Sequence, residues 1–313
     1  MTGKHAFARM CLVAAAVTAA ATGCTGNGNG DGGDGGGSGG RAGAAPLTWQ
    51  QELRVTDALQ RLTKRCMDRH GFTYWEDRTL TLRESRPVRY VQDDVAWART
   101  YGYGGPVEAK NERTRLHHPN AAYRQRLPAD RRAAFDRALD GGDDAHTLSV
   151  RLPGTGAEVG KRVGGCSAEA EKALYGDPAT WFRAARTATG LRALYGEDLM
   201  RDRELTAAVR VWSRCMRGAG LAHADPRAAR DAIRANTARL GPARAGEAFA
   251  LERRTAVADA RCARGADLRS VVTAREAHYV DRLRDRYGDA LDTYERLQRQ
   301  AYDRAVRIVP PRA

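Results

Sequence analysis

Residues 203–217 read Arg-Glu-Leu-Thr-Ala-Ala-Val-Arg-Val-Trp-Ser-Arg-Cys-Met-Arg. Leu205, Ala208, Val209, Trp212, Cys215 and Met216 recur at steps of three and four, the signature of one apolar helix face. Arg214-Cys215-Met216 is followed by Gly220-Leu221, and the same phrase stands earlier as Arg65-Cys66-Met67 followed by Gly71-Phe72. Both copies read Arg-Cys-Met-x-x-x-Gly-apolar at the end of a helical stretch. Each is followed by one more cysteine, Cys166 after the first and Cys262 after the second. The echo predicts two helical halves, 47–190 and 191–313, the first carrying an irregular aromatic-rich insertion.

Working outward, helix dominates. Leu47 to about His70 carries Leu53, Ala58, Leu59, Leu62, Cys66 and Met67 at near-helical spacing, and Gly71 is a natural stop. Residues 72–105 read as irregular. Pro128-Ala129-Asp130 opens a helix that Gly141-Gly142 closes, and His146 to Leu152 alternates enough for one short strand before a Gly-rich turn. Asp225-Pro226 reads as an N-cap with proline at the first helical position. The final stretch, about Asp267 to Ile308, reads as one long helix. Val280, Leu283, Tyr287, Ala290, Tyr294, Leu297 and Ala301 form a heptad seam along it, read as packing on the body of a monomer rather than as a dimeric coiled coil. The expected fold is mainly α: packed long helices, one short strand or hairpin region, and a disordered Gly-rich N-terminal tether.

The first 23 residues read as an export signal, with Lys4 and Arg9 ahead of an apolar run from Met10 to Ala21 that is too short to span a bilayer. Ala21-Thr22-Gly23-Cys24 resembles a bacterial lipobox, which makes Cys24 the lipidation site. Ala21 departs from the usual Leu at its position, and ordinary cleavage after Ala21, giving a secreted soluble protein, is the alternative. Half of residues 25–46 are Gly, a composition that cannot bury a core and behaves as a flexible coil. Residues 24–46 thus read as a lipidated cysteine and linker holding the body outside the cell membrane.

Six cysteines are present. Cys11 would leave with the signal and Cys24 would be acylated, which leaves Cys66, Cys166, Cys215 and Cys262 in an oxidising compartment. Four cysteines allow three connectivities. If the halves are parallel units, the pairs are Cys66–Cys166 and Cys215–Cys262, each contributing on the order of 3–4 kcal/mol by the chain-entropy model.

Hydrophobic residues make up 42% of the 313, enough for a real core, and no apolar run reaches membrane-spanning length, so a multi-pass membrane protein is excluded. The formal net charge of +14 is concentrated after residue 190. For an exported protein such a balance points to anionic cell-envelope polymers and lipid head groups rather than to nucleic acid. The excess of Arg over Lys also has a compositional reading, as GC-rich codon bias.

Candidate chemistry is sparse. Gly154-Thr155-Gly156-Ala157-Glu158-Val159-Gly160-Lys161 lacks the residues that a phosphate-binding loop needs at 155 and 162, and reads as a turn. His117 and His118 are adjacent and point apart on any regular element. Cys66, Met67 and His70 have soft-metal character, but Cys66 has a disulfide partner on offer and the second copy of the echo has Ala219 where the first has His70. Tyr74, Trp75, Tyr90, Trp97, Tyr101 and Tyr103 suit either core filling or a sugar-stacking platform. No nucleophile or metalloprotease signature is present, so the expectation is no catalytic residue, no metal and no cofactor.

Cys66-Met67…Gly71-Phe72, Gly164-Gly165-Cys166-Ser167-Ala168-Glu169-Ala170 and Leu174-Tyr175-Gly176-Asp177 together resemble a group of actinobacterial lipoproteins and exported proteins. Trp212-Ser213-Arg214-Cys215-Met216, Ala224-Asp225-Pro226, Val257-Ala258-Asp259…Cys262 and Glu276-Ala277…Tyr279 extend the resemblance through the second half. It implies export, a paired-cysteine framework and a helical body, and no assigned activity. The functional expectation is a non-catalytic binding protein at the cell envelope, with a wall-directed hydrolase of unrecognised carboxylates as the alternative.

Overall fold

The structure, a computed structural model, describes residues 46–312. The leader, Cys24 and the linker through residue 45 lie outside the described residues. Helix α1 spans Trp49–Arg69, and Thr48 starts it with a capping box: the Thr48 side chain accepts from the Gln51 N–H while the Gln51 side chain accepts from the Thr48 N–H. Helices α2 (Val95–Tyr101), α3 (Gly105–Leu116), α4 (Pro119–Arg126) and α5 (Ala129–Asp140) follow. Strands β1 (His146–Arg151) and β2 (Glu158–Val163) pair antiparallel, Ser149 opposite Gly160. The chain then runs through α6 (Gly165–Tyr175), α7 (Pro178–Gly190), α8 (Arg192–Arg201), α9 (Arg203–Gly218), α10 (Pro226–Leu240), α11 (Ala245–Gly265), α12 (Leu268–Asp281) and α13 (Arg284–Ile308). The fold is mainly α with one hairpin.

The Arg-Cys-Met-x-x-x-Gly echo is a helix-ending device. Gly71 and Gly220 both adopt positive φ, +75° and +76°. The Phe72 N–H bonds the Met67 carbonyl at 3.0 Å, and the Leu221 N–H bonds the Met216 carbonyl at 2.9 Å. These are matching Schellman closures, which need a left-handed residue just past the helix end. Each fixes a cysteine one turn before the end of its helix. Cys66 on α1 meets Cys166 on α6, and Cys215 on α9 meets Cys262 on α11, both with Cα–Cα separations of 5.5 Å and both as disulfides. The surroundings differ: Cys66 and Cys166 are buried, whereas Cys215 is exposed.

Two large apolar clusters organise the helices. One gathers Leu47, Val55, Leu174, Trp181, Leu297 and Val309, from α1, α6, α7, α13 and their flanks. In it the Trp181 ring stacks between Tyr175 at 3.8 Å and Tyr294 at 5.6 Å. The other gathers Leu199, Leu205, Trp212, Met216, Leu268 and Leu291. Helix α13 therefore packs against α1, α6 and α7, and α2 packs against α11, so elements from either side of residue 190 share cores. Arg54 of α1 reinforces the first association by donating to the carbonyls of Val309 at 3.0 Å and Val306 at 3.1 Å.

Three local expectations change. The expected single helix from 267 to 308 is two, broken at Arg282–Leu283. No Gly or Pro causes the break. The Leu283 N–H bonds the Val280 carbonyl at 2.9 Å in a tight turn. The seam changes partners two turns further on: Val280, Leu283, Tyr287 and Leu291 pack on the Trp212 cluster, Tyr294, Leu297 and Ala301 on the Trp181 cluster. The stretch 72–105 is not wholly irregular, because Asp94 caps α2 by accepting from the Trp97 N–H at 2.9 Å. The Gly-rich turn before Cys166 is the bend of a hairpin whose return strand, β2, the sequence reading placed within the turn.

Candidate functional site

Helix α11 is two-faced. Its inner face carries Glu252, Thr255, Ala256, Asp259, Ala260, Cys262 and Ala263, all buried. Two of these are carboxylates, which must be paired when removed from water. Glu252 accepts from the backbone N–H groups of Tyr103 at 2.8 Å and Gly105 at 3.0 Å. It thereby caps the turn leaving α2. The approach is so close that a Cβ at Gly102 would sit 2.7 Å from a Glu252 oxygen, and one at Gly105 2.6 Å. Asp259 accepts from Trp212 Nε1 at 2.8 Å and from the Tyr103 hydroxyl at 2.9 Å. Burial pushes the Asp259 carboxyl up to about 6, while Trp212, Arg230 and Tyr103 act to lower it. Burial and the Asp259 charge push the Tyr103 hydroxyl upward in turn, and the Arg230 guanidinium sits 5.4 Å from the centre of its ring. These contacts pin α2 and α9 to α11.

The outer face of α11 borders an open cleft of about 500 Å³. Arg254, Val257, Ala258 and Arg261 lie at i, i+3, i+4 and i+7, one stripe of the helix. Arg253 and Ala250 extend it, Arg99 faces it from α2, and Ala219 and Leu221 close it from the Schellman turn after α9. The floor is apolar, four guanidinium groups surround it, and no acidic side chain lines it. Arg99, Arg254 and Arg261 are exposed and form no ion pair among the described residues. The Cys215–Cys262 bridge joins the two helices that supply the wall and the floor. Such a concavity suits an anion: each guanidinium offers a planar fork of donors to phosphate or carboxylate oxygens.

A second group of ionisable residues lies where the chain enters α1. Glu52 and Glu295 share a cavity of about 20 Å³ with Tyr294, Gln298 and Arg299. Burial pushes Glu52 up to about 7, opposed by Arg89, and also raises Glu295. The cavity has room for one water and no more.

The residues singled out from the sequence are distributed as follows. The ligand atoms of Cys66, Cys166 and His70 lie within 4.8 Å of one another, but the two sulfurs are bonded to each other and present no thiolate. His117 ends α3, and His118 starts α4 by accepting from the Asn120 N–H at 3.2 Å. Lys161 pairs with Glu171, and the Gly154–Gly160 segment leads into a strand, not a helix N-terminus. The aromatics form no common platform: Trp97 is buried with its indole N–H on the Arg83 carbonyl, Tyr103 serves Asp259, and Trp75 meets Tyr123. The sequence reading missed Arg99, Arg253, Arg254 and Arg261. The available signal was Glu252 and Asp259, a heptad apart on the apolar side of an arginine-bearing helix.

No helix of the described residues is long and apolar enough to cross a membrane. No protein-family model, no curated protein and no solved structure matches the chain at a significant level.

Proposed function

We propose that this chain is an exported protein, held at the outer face of the cell membrane through a lipid on Cys24, that binds an anionic component of the cell envelope without transforming it. The observation that carries the reading is the cleft between α11, α2 and the end of α9, with four arginines, an apolar floor and no acid. Two disulfides belong with an oxidising compartment, in keeping with the leader and the Gly-rich linker. Polyanions there are membrane head groups, phosphate-bearing polymers and wall carboxylates, all drawn by the same electrostatics. The test is sedimentation of the purified body with isolated cell envelope across a salt series. Binding that weakens as salt rises, with no soluble fragments released, supports the reading; salt-independent binding or none refutes it.

One observation favours the hydrolase alternative. Glu52, with its carboxyl pushed up to about 7, has the property a general acid needs at neutral pH. Its cavity admits water but not a glycan. Fragment release from the envelope that Glu52→Gln abolishes would establish that alternative.

A further inference from the structure

We infer that the cleft binds a linear phosphodiester polymer, gripping several successive phosphates of one extended chain rather than a single anion. The inference rests on the anion-binding reading above and narrows its ligand. Arg254 and Arg261 are seven residues apart on one helix, which places them two turns and about 10 Å apart along the axis. A chain lying along the helix meets each in turn, one phosphate per guanidinium, whereas a single small anion would have to draw the two side chains together between them. Arg99 joins them from α2 and Arg253 is adjacent to Arg254 in sequence, so two helices supply charge to the cleft. Between the arginines the floor is Val257, Ala258 and Leu221. That alternation of cation and apolar surface matches a backbone in which phosphates alternate with carbon-rich polyol or sugar units.

Arginine, the predominant cation of the chain, suits phosphate. Its fork bonds two oxygens of one phosphate at once, a geometry that a lysine ammonium does not offer. All four cations of the cleft are arginine. The elements around the cleft are held by fixed links: Cys215–Cys262 joins α9 to α11, and the Glu252 and Asp259 hydrogen bonds join the turn after α2 to α11. The backbone of the site is preorganised, so the ordering required on binding is that of the exposed arginine side chains.

The experiment measures binding of three probes to the purified body at several salt concentrations: an oligo(glycerol phosphate) of about ten units, glycerol 3-phosphate, and vesicles of phosphatidylcholine containing phosphatidylglycerol. For the oligomer, counterion release at three or four contacts gives a log–log salt slope of about −2 to −3, near 0.7 per phosphate on a flexible single chain. Arg254→Gln with Arg261→Gln lowers oligomer affinity by at least about tenfold and reduces the slope by more than 1, whereas Arg307→Gln, on exposed α13 surface, changes neither. These side chains are exposed, and unchanged thermal unfolding of the variants shows that the fold is intact. Monomer binding as tight per phosphate as the oligomer, or binding to vesicles alone, overturns the polymer inference and leaves the anion-binding reading standing. Oligomer binding indifferent to the double substitution overturns the assignment of the cleft. Binding to none of the three probes overturns the inference, and the salt series with isolated envelope then decides the broader reading on its own.

Discussion

Arg312 forks onto Asp57: its two guanidinium nitrogens donate to the two carboxylate oxygens at 2.8 and 2.6 Å, and the carboxylate is 1% exposed. The same guanidinium reaches the Leu80 carbonyl and the Ser85 hydroxyl, so one side chain joins the segment after α13, the middle of α1 and the loop that follows it. Arg78 lies 4.0 Å from Asp57, and Arg61 also feels its charge.

Removing one partner of such a pair leaves a buried charge uncompensated. Arg312→Ala is therefore expected to destabilise the protein by about 3 kcal/mol, with Arg78 softening the loss. Urea unfolding followed by circular dichroism measures it. Asp57→Asn combined with Arg312→Gln, which removes both charges, is expected to cost clearly less than Arg312→Ala alone; equal costs would mean that the charge of Asp57 is not what matters.

Asp259 has two buried donors aimed at it. Asp259→Ala leaves the Trp212 indole N–H and the Tyr103 hydroxyl without an acceptor, at about 1–3 kcal/mol for each orphaned group. Loss of about 3 kcal/mol is expected, together with a change in Trp212 fluorescence. Asp259→Asn keeps one acceptor oxygen and is expected to lose about 1 kcal/mol. Gly102→Ala, which would press a methyl group into Glu252, is expected to release α2 and increase amide exchange there while the Trp181 cluster stays protected.

Glu52 sets a pH dependence with a definite sign. In the fold its carboxyl titrates at about 7 against an ordinary value of 4.5. Between those values the native state holds a proton that the unfolded chain has lost, so stability falls as pH rises through that window and the cost is complete above it. Asp259, raised to about 6, acts in the same direction. At Asp202 burial works upward but is outweighed by the Leu205 N–H and Arg275, and the net value lies below the ordinary one. Its contribution is lost only as pH falls through the acid range. Maximum stability is expected on the acid side of neutrality, near pH 5. Glu52→Gln is expected to raise stability at pH 8 by about 1–2 kcal/mol, discounted for partial exposure, and to flatten the decline between pH 5 and 8. Thermal unfolding of both proteins across that range is the measurement.

The two disulfides differ in accessibility. Cys215 is exposed, whereas Cys66 and Cys166 are buried. Thiol–disulfide exchange needs access to a sulfur. Limited treatment with a dithiol, followed by alkylation and peptide mapping, is expected to label Cys215 and Cys262 first. Loss of either bridge is expected to cost about 4 kcal/mol in the chain-entropy account, with Cys66–Cys166 the larger because it closes the longer loop.

Much of the body was legible because its signals are local. The Cys-Met-x-x-x-Gly phrase encodes a Schellman closure in a single stretch, and Asp225-Pro226 announces a helix start within two residues, whereas the caps at Thr48 and Asp202 went unread. What was hidden depends on distant partners. Asp94 caps a seven-residue helix that holds its place through Glu252, almost 150 positions away. The last helix breaks at Arg282–Leu283 with no Gly or Pro there to announce it. Arg254 and Arg261 are two among 47 arginines, and composition cannot separate them from the rest. Only the juxtaposition of α2 and the α9 turn makes a concavity of them.

Leu47 and Val309 share a cluster, and Arg54 fastens α1 to the end of α13. Any tension arriving through the residues ahead of Leu47 is thus received at the α1–α13 seam, at the edge of the Trp181 cluster. The wall and floor of the arginine cleft are α9, α11 and α2, which are fastened to one another by a covalent bridge and two buried carboxylates. A pull on the residues ahead of Leu47 is expected to open the α1–α13 seam before it disturbs α9, α11 and α2, whose links are covalent or buried.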